Sequence, residues 1–392
     1  MMTEMDGEVF SDFNTACTAK IIHVMVDDKF IDMAIREFEA VEPGIHEYII
    51  IDGTSPFRYV KYPSVRSCPR SLFPREMSRE GVKAVVFHYL ISSHYDLLDL
   101  IPKSKTVIWL GWGGDYYDAL LSDLYPNGLY LPTTADLCRA TLKERCLIVV
   151  RDGWRWTRRT LGGPRRHDPA CLERVDYFSP VIDLEFHLAR KLNPWFRADH
   201  VTWNYGTVED DLSLPGPVPQ TLGNNLLVGN SATPTNNHAE VFRIIADRID
   251  LSVRKVIVPL SYGEDDYRDC VIDLGQKLLG PAFMPLTAFL PYDEYIRILT
   301  SCGVLMMNHL RQQALGNICI SGLLGAKLLL NRRSPLFDWL TEKGIAVDGI
   351  ETADLTPLTQ EQRDANAHAI RAHWGRDAQR AKTRRLLDLA LA

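Results

Sequence analysis

Two α/β domains, each built on a parallel sheet and facing the other across a cleft, are what this 392-residue sequence predicts. Three observations carry the expectation. The length exceeds what one hydrophobic core usually supports. Short, wholly apolar runs alternate with helical patterns in both halves, which is how strands covered on both faces read. Between the halves lies EDDLSLPGPVPQTLG at 209–223, whose proline, glycine and acid make a stiff linker. The expected boundaries are a first domain at 15–208, the linker at 209–223, a second domain at 224–357, and a helical segment at 358–392 that can cross back onto the first domain.

In the first half, strands are expected at 20–26 (KIIHVMV), 47–51 (EYIII), 83–88 (KAVVFH) and 105–110 (KTVIWL), with helices at 30–41 and 92–100. The second half repeats this grammar, with strands at 225–228, 254–258, 304–307 and 327–330 and helices near 235–250, 265–279, 292–301 and 316–325. No internal repeat of short period is present.

Composition excludes several function classes. Hydrophobic residues at 46% and charged residues at 24% describe an ordinary globular protein. No apolar run is long enough to span a bilayer, and the start MMTEMDGEVFSDFN is acidic rather than a signal sequence, so a cytoplasmic protein is expected. The eight cysteines show no CxxC pair, and histidine pairs such as His88 with His94 lack a third partner at ligand spacing. Reduced thiols and no metal site are therefore expected. A formal net charge of -6 argues against nucleic-acid binding. No Gly-x-Ser-x-Gly element points to a covalent nucleophile.

Ligands of open α/β sheets bind beyond the carboxyl ends of the strands. In the second half those positions hold Asn230 and Ser231 after one strand, Tyr262 after the next, Arg311, Gln312 and Gln313 after the third, and Asn331 and Arg332 after the fourth. Gly316 and Asn317 open a helix directly after the glutamines. Helix N-termini carry unpaired N–H groups that attract anions, and arginine forks match phosphate oxygens, so a diphosphate would satisfy these loops together. The plainer alternative is that the polar residues cap helices or face solvent. In the first half, GWGGDYYD at 111–118 begins like a dinucleotide fingerprint but has Tyr116 at the third glycine position. Its Asp115 either acts as a general base in the cleft or caps the following helix.

The blocks VGNS (228–231), KVIVP (255–259) followed by Tyr262, RQQ with Gly316, and LNRRSP (330–335) resemble, in order and spacing over about 225–347, the bacterial dTDP-N-acetylfucosamine:lipid II N-acetylfucosaminyltransferase family. These are the 4-acetamido-4,6-dideoxygalactose transferases of enterobacterial common antigen synthesis. Trp112, Gly113 and Asp115, with His23, Val24, Asp28, Phe87 and His88, extend the likeness into the first half. The resemblance implies the GT-B arrangement of two Rossmann-like domains. It further implies transfer of a deoxy-amino sugar from a nucleotide diphosphate, dTDP above all, to a lipid-linked saccharide at the inner face of the cytoplasmic membrane, without a metal or other cofactor. Asn230, Ser231, Tyr262, Arg311, Gln312, Gln313, Gly316, Asn317, Asn331 and Arg332 then become donor-binding candidates. Asp115, followed by Asp28 and His88, becomes the candidate for acting on the acceptor hydroxyl. Where the family has glycine after RQQ, this chain has Ala314.

The segment 151–168, RDGWRWTRRTLGGPRRHD, is locally +4 within a chain of -6. Trp154, Arg155, Trp156, Arg158 and Arg159 interleave rings with cations, which suits an anionic membrane surface or a lipid diphosphate acceptor; a solvated basic loop is the alternative. Two other functions fit the same architecture: a sugar-nucleotide epimerase acting on the donor alone, and a non-catalytic scaffold in a polysaccharide assembly complex.

Overall fold

The computed structural model describes residues 20–139, 169–213, 216 and 221–392. The first sheet contains β1 (Ile21–Met25), β2 (His46–Ile51), β3 (Val65–Cys68), β4 (Ala84–His88), β5 (Thr106–Leu110), β6 (Tyr177–Ser179) and β7 (Asp199–His200) in the order β3-β2-β1-β4-β5-β6-β7. The second contains β8 (Asn225–Val228), β9 (Val256–Pro259), β10 (Phe283–Leu286), β11 (Cys302–Met307), β12 (Lys327–Leu330) and β13 (Val347–Gly349) in the order β10-β9-β8-β11-β12-β13. Every pairing is parallel. The central strands β1, β4, β8 and β11 are almost wholly buried, because crossover helices cover both faces.

The longer helices are α1 (Ile31–Val41), α2 (Asp183–Leu192), α3 (His238–Arg248), α4 (Asp265–Leu279), α5 (Tyr292–Thr300), α6 (Leu315–Leu324), α7 (Pro335–Glu342), α8 (Gln360–Trp374) and α9 (Arg376–Leu391). The strand order reverses direction between β1 and β4 in one sheet and between β8 and β11 in the other. Those are the switch points beside which open sheets hold ligands.

The chain crosses between the two halves more than once. Residues 129–139 leave the first sheet and pack on α3: Leu131 N donates to Asn237 Oδ1 at 2.7 Å, and Thr134 N to Glu240 Oε1 at 2.9 Å. At the end of the chain α8 lies on α6, while α9 returns to the first sheet and buries Leu386, Leu387 and Ala390 against Ile21, Phe38 and Val86. The acids that open the linker are fasteners here. Asp210 pairs with Arg376 at 2.6 Å and Asp211 with Arg36 at 2.5 Å, tying the 209–211 crossing to the α8–α9 junction and to α1.

Candidate active site

The second-sheet wall of the cleft is built at the β8/β11 switch point. Gly229 ends β8 with φ +68°, and a Cβ there would lie 2.6 Å from His238 Nε2, so only glycine turns the chain at this point. The turn delivers Asn230, whose Nδ2 donates to the Tyr262 hydroxyl at 2.8 Å and whose Oδ1 accepts from Gln313 Nε2 at 3.1 Å. Thr235 Oγ1 holds the other end of Gln313 at 2.8 Å. Asn230, Tyr262 and Gln313 therefore form one row along this edge, with Tyr262 47% exposed.

Beside the row, α6 begins at Leu315 after Ala314, which sits in the left-handed region at φ 62° and makes no side-chain cap. The exposed Gly316 has nothing within 4 Å of where a Cβ would stand. The helix thus opens its first N–H groups toward free space, while Asn317 lies within hydrogen-bonding reach of the Tyr295 hydroxyl. Arg311 has no ion-pair partner among the described residues; its Nε is buried without a hydrogen bond, and its guanidinium lies 5.8 Å from the centre of the Tyr117 ring. A half-buried guanidinium without an ion pair among the described residues is suited to bind an anion.

The facing wall comes from the first sheet. Gly113 (φ +104°) approaches so closely that a Cβ there would stand 3.3 Å from Arg311 Nη1 and 3.2 Å from Gln312 Oε1. Tyr117 clasps the two walls: its hydroxyl accepts from Gln312 N at 2.8 Å and donates to the buried Glu185 carboxylate, which also receives Tyr116. Burial raises Glu185 to about 7, opposed by the two phenols and by the nearby Arg311 charge. Lys29 reaches to 5.6 Å from the Tyr262 ring centre, bringing the loop after β1 over the row.

The predicted residues separate under this geometry. Asn230, Tyr262, Arg311, Gln313, Gly316 and Asn317 gather at the cleft. Ser231 backs the row rather than facing the cleft: it is 1% exposed, hydrogen-bonds to Thr233 and Asn236 inside its own loop, and lies within hydrogen-bonding reach of the Tyr262 hydroxyl. Gln312, 5% exposed, serves the clasp instead. Asn331 Nδ2 is bound to Asn308 at 2.8 Å, and Arg332 is committed to Glu351 at 2.5 Å on the side toward β13. Its neighbour Arg333 is exposed and lies near enough to the first half for its charge, with that of Arg311, to act on Tyr125.

Asp115 is corrected most clearly. Its carboxylate accepts four N–H bonds, from Leu90 N and Trp109 Nε1 on one oxygen and Trp112 N and Gly113 N on the other, at 2.8–3.1 Å. It is 8% exposed, and burial raises it to about 6 against the pull of those donors. Asp115 shapes the glycine loop, and its oxygens are already filled. His88 is 1% exposed, held by His23 and Tyr205, and driven down to about 3 by burial; it cannot touch an acceptor. Asp28 remains. It is half-buried at the carboxyl end of β1, with Oδ1 taken by Phe30 N at 3.0 Å and Oδ2 without a hydrogen bond among the described residues.

Sequence reasoning missed Tyr89. It directly follows β4 in the left-handed region at φ 61°, its ring 5.0 Å from Trp112, and its phenol feels both Asp28 and Arg311. A bulky residue at positive φ is an outlier worth notice, but nothing in a single sequence announces it. Trp154, Arg155, Trp156, Arg158 and Arg159 lie outside the described residues. Among the described residues no group of three His, Cys, Asp or Glu side chains is arranged to hold a metal ion, and no helix is long and apolar enough to cross a membrane.

Residues 209–366 match the family described as 4-alpha-L-fucosyltransferase glycosyl transferase group 56, which bears out the resemblance carried by the VGNS, RQQ and LNRRSP blocks. The fold is shared with a glycosyltransferase from Rickettsia africae (10% identity, TM-score 0.59, 95% of this chain and 98% of that one). It is shared also with a UDP-forming α,α-trehalose-phosphate synthase from Burkholderia vietnamiensis (10% identity, TM-score 0.58, 95% and 99%). The N-terminal domain of a trehalose-6-phosphate phosphatase from Candida albicans is similar as well (9% identity, TM-score 0.60, 94% and 96%). Likeness at these identities shows the two-domain GT-B fold alone.

Proposed function

We propose that this nucleotide-sugar-dependent glycosyltransferase, whose residues 209–366 match glycosyl transferase group 56, takes a dTDP-linked deoxy-amino sugar of the 4-acetamido-4,6-dideoxygalactose kind as donor and a lipid-linked saccharide of bacterial surface polysaccharide synthesis as acceptor. The second-sheet domain holds the donor and the first-sheet domain the acceptor. The observation that carries this reading is Arg311, an arginine with no ion pair among the described residues, beside the open N-terminus of α6 and the Asn230–Tyr262–Gln313 row.

As the glycosidic bond loosens, negative charge grows on the leaving diphosphate. Arg311 and the first N–H groups of α6 stabilise that charge, and on this reading no metal is needed. Tyr117 and Gly113 set the separation at which Arg311 meets the opposite wall. Asp28, with one oxygen on Phe30 N and the other without a hydrogen bond among the described residues, accepts a hydrogen bond from the acceptor hydroxyl. The tryptophans and arginines of 154–159 would meet the anionic headgroups from which a lipid-linked acceptor is presented, on the cytoplasmic face of the membrane. The test is transfer from a dTDP-deoxysugar to a lipid diphosphate saccharide. Asp28→Asn is expected to abolish transfer while leaving dTDP affinity within twofold; full transfer by that variant would remove Asp28 from the account, and donor turnover without any acceptor would move the activity toward epimerisation.

A further inference from the structure

Tyr89 sits in a backbone conformation that a tyrosine rarely adopts. It follows β4 at the β1/β4 switch point with φ 61°, where a Cβ crowds the backbone and glycine would turn the chain freely. The surroundings enforce the turn. Tyr89 N donates to Leu110 O at 3.1 Å, and the next amide, Leu90 N, donates to Asp115 Oδ2 at 3.1 Å. Since Asp115 also binds Trp112 N and Gly113 N, one carboxylate fixes the turn after β4 and the glycine loop after β5 as a unit. The Tyr89 ring lies 5.0 Å from that of Trp112. Phenylalanine would make this contact equally well. Packing leaves the hydroxyl unexplained: it has no hydrogen bond among the described residues, on a side chain only half-buried.

The glycine loop makes room for this hydroxyl. At the exposed Gly114 a Cβ would stand 2.9 Å from the Tyr89 oxygen, and at Gly113 a Cβ would stand 3.3 Å from Arg311 Nη1. Two successive missing side chains therefore admit a phenol from the first sheet and a guanidinium from the second to neighbouring points of the cleft. The charges that face the phenol are those of Asp115, Arg311, Asp28 and Asp118. Burial above all, with the three acids, pushes the phenol above its usual range against the opposing pull of Arg311, so it keeps its proton and is no base. Asp115 is already filled by four N–H donors. A phenol O–H and a guanidinium thus stand near each other, neither spending a proton on the described protein. The group that satisfies both is an oxygen carrying negative charge.

We propose that Tyr89 is a catalytic residue which donates a hydrogen bond, across the cleft from Arg311, to the phosphate oxygen that leaves the sugar; this rests on the glycosyl-transfer reading above. In the bound donor that oxygen bridges sugar and phosphorus and carries little charge. During transfer the acceptor oxygen bonds to the anomeric carbon as the bond from that carbon to the phosphate oxygen breaks. The electron pair of the broken bond stays on the phosphate oxygen. The acceptor's proton passes to Asp28 and from there to water, and Tyr89 keeps its own. Charge on the leaving oxygen therefore grows from that of an ester to that of a free phosphate, and a donor fixed in place beforehand binds it more strongly as it grows. Arg311 and α6 belong to the second domain and Tyr89 to the first. The leaving group is gripped from both sides only at the separation that Tyr117 and Gly113 set.

Tyr89→Phe keeps the ring and removes only the hydroxyl. Free dTDP bears its terminal charge on the oxygen that the sugar ester of dTDP-glucose masks, so the two ligands tell the proposed contact from a structural one. In calorimetric titrations the variant is expected to bind dTDP about tenfold more weakly than wild type and dTDP-glucose within about twofold. Transfer is expected to slow about 100-fold with the donor KM little changed. Urea unfolding of the variant is expected to match wild type, since no hydrogen bond within the described protein is lost. Equal weakening of both ligands, weakening of neither, wild-type turnover, or an unfolding midpoint clearly below that of wild type would overturn the proposal. Failure of the substrate reading looks different. A wild-type chain that prefers UDP replaces the donor, and the same split is then expected between UDP and UDP-glucose, which leaves the role of Tyr89 standing. Binding of neither nucleotide removes the diphosphate and overturns both.

Discussion

Replacing Asp115 with asparagine separates two roles for the residue by their effect on stability. The carboxylate accepts Leu90 N and Trp109 Nε1 on Oδ2 and Trp112 N and Gly113 N on Oδ1. An asparagine has one acceptor oxygen, and its NH2 group would face two of these four donors. Two buried N–H groups would lose their acceptor, at about 1–3 kcal/mol each, so Asp115→Asn is expected to lower the unfolding free energy by roughly 2–6 kcal/mol. Urea denaturation followed by circular dichroism measures this directly. The glycine loop it organises also meets Arg311, so weakened nucleotide binding is expected to accompany the loss. A variant that unfolds within about 0.5 kcal/mol of wild type, binds dTDP normally and has lost transfer would refute the reasoning and restore Asp115 as the base.

Three further outcomes follow from single contacts. Arg311→Ala removes a cation with no ion pair among the described residues, so stability should hold while dTDP affinity falls by about 1.5–3 kcal/mol, roughly 10- to 150-fold, in a calorimetric titration. Ala314→Gly relieves a side chain at φ 62° and should stabilise the protein by about 1 kcal/mol in thermal or urea unfolding; a loss would show that α6 does not begin as described. Glu185 has a folded-state pKa raised to about 7, so the folded state holds more protons than the unfolded one between about pH 4.5 and 7, and stability falls as pH rises through that window by on the order of 3 kcal/mol. Glu185→Gln should therefore gain on wild type between pH 5 and 8 in urea titrations at stepped pH, and a constant difference would contradict the assignment.

The strands legible in the sequence were those buried on both faces. At β1, β4, β8 and β11 an unbroken apolar run is the only solution, and the runs stand out. The missed strands lie toward the sheet edges or are very short: Val65–Cys68 carries an arginine and a serine, Phe283–Leu286 contains a proline that an edge strand tolerates, and Asp199–His200 has two residues. On the second-sheet wall the site was partly legible because strand-end position is a sequence property. Arg311 and Gln313 could be found that way, whereas nothing in the sequence says that Arg332 is committed to Glu351. The first-sheet wall misled because an acid in a glycine loop reads alike whether it faces substrate or binds its own backbone. The hydrogen bonds that join His23 to His46 and His88, and His88 to Tyr205, were invisible, since register alone aligns 23, 46 and 88 and the chain after β7 brings in 205.

The central claim is that the edge formed by Asn230, Tyr262, Gln313, Arg311 and the start of α6 receives a nucleoside diphosphate. Calorimetric titration of the purified protein with dTDP, UDP and GDP, with and without Mg2+, tests it most directly. Selective micromolar binding of dTDP, unchanged by the metal, is the result expected. Binding of none of the three would contradict the claim, and preference for UDP would keep the site but replace the donor.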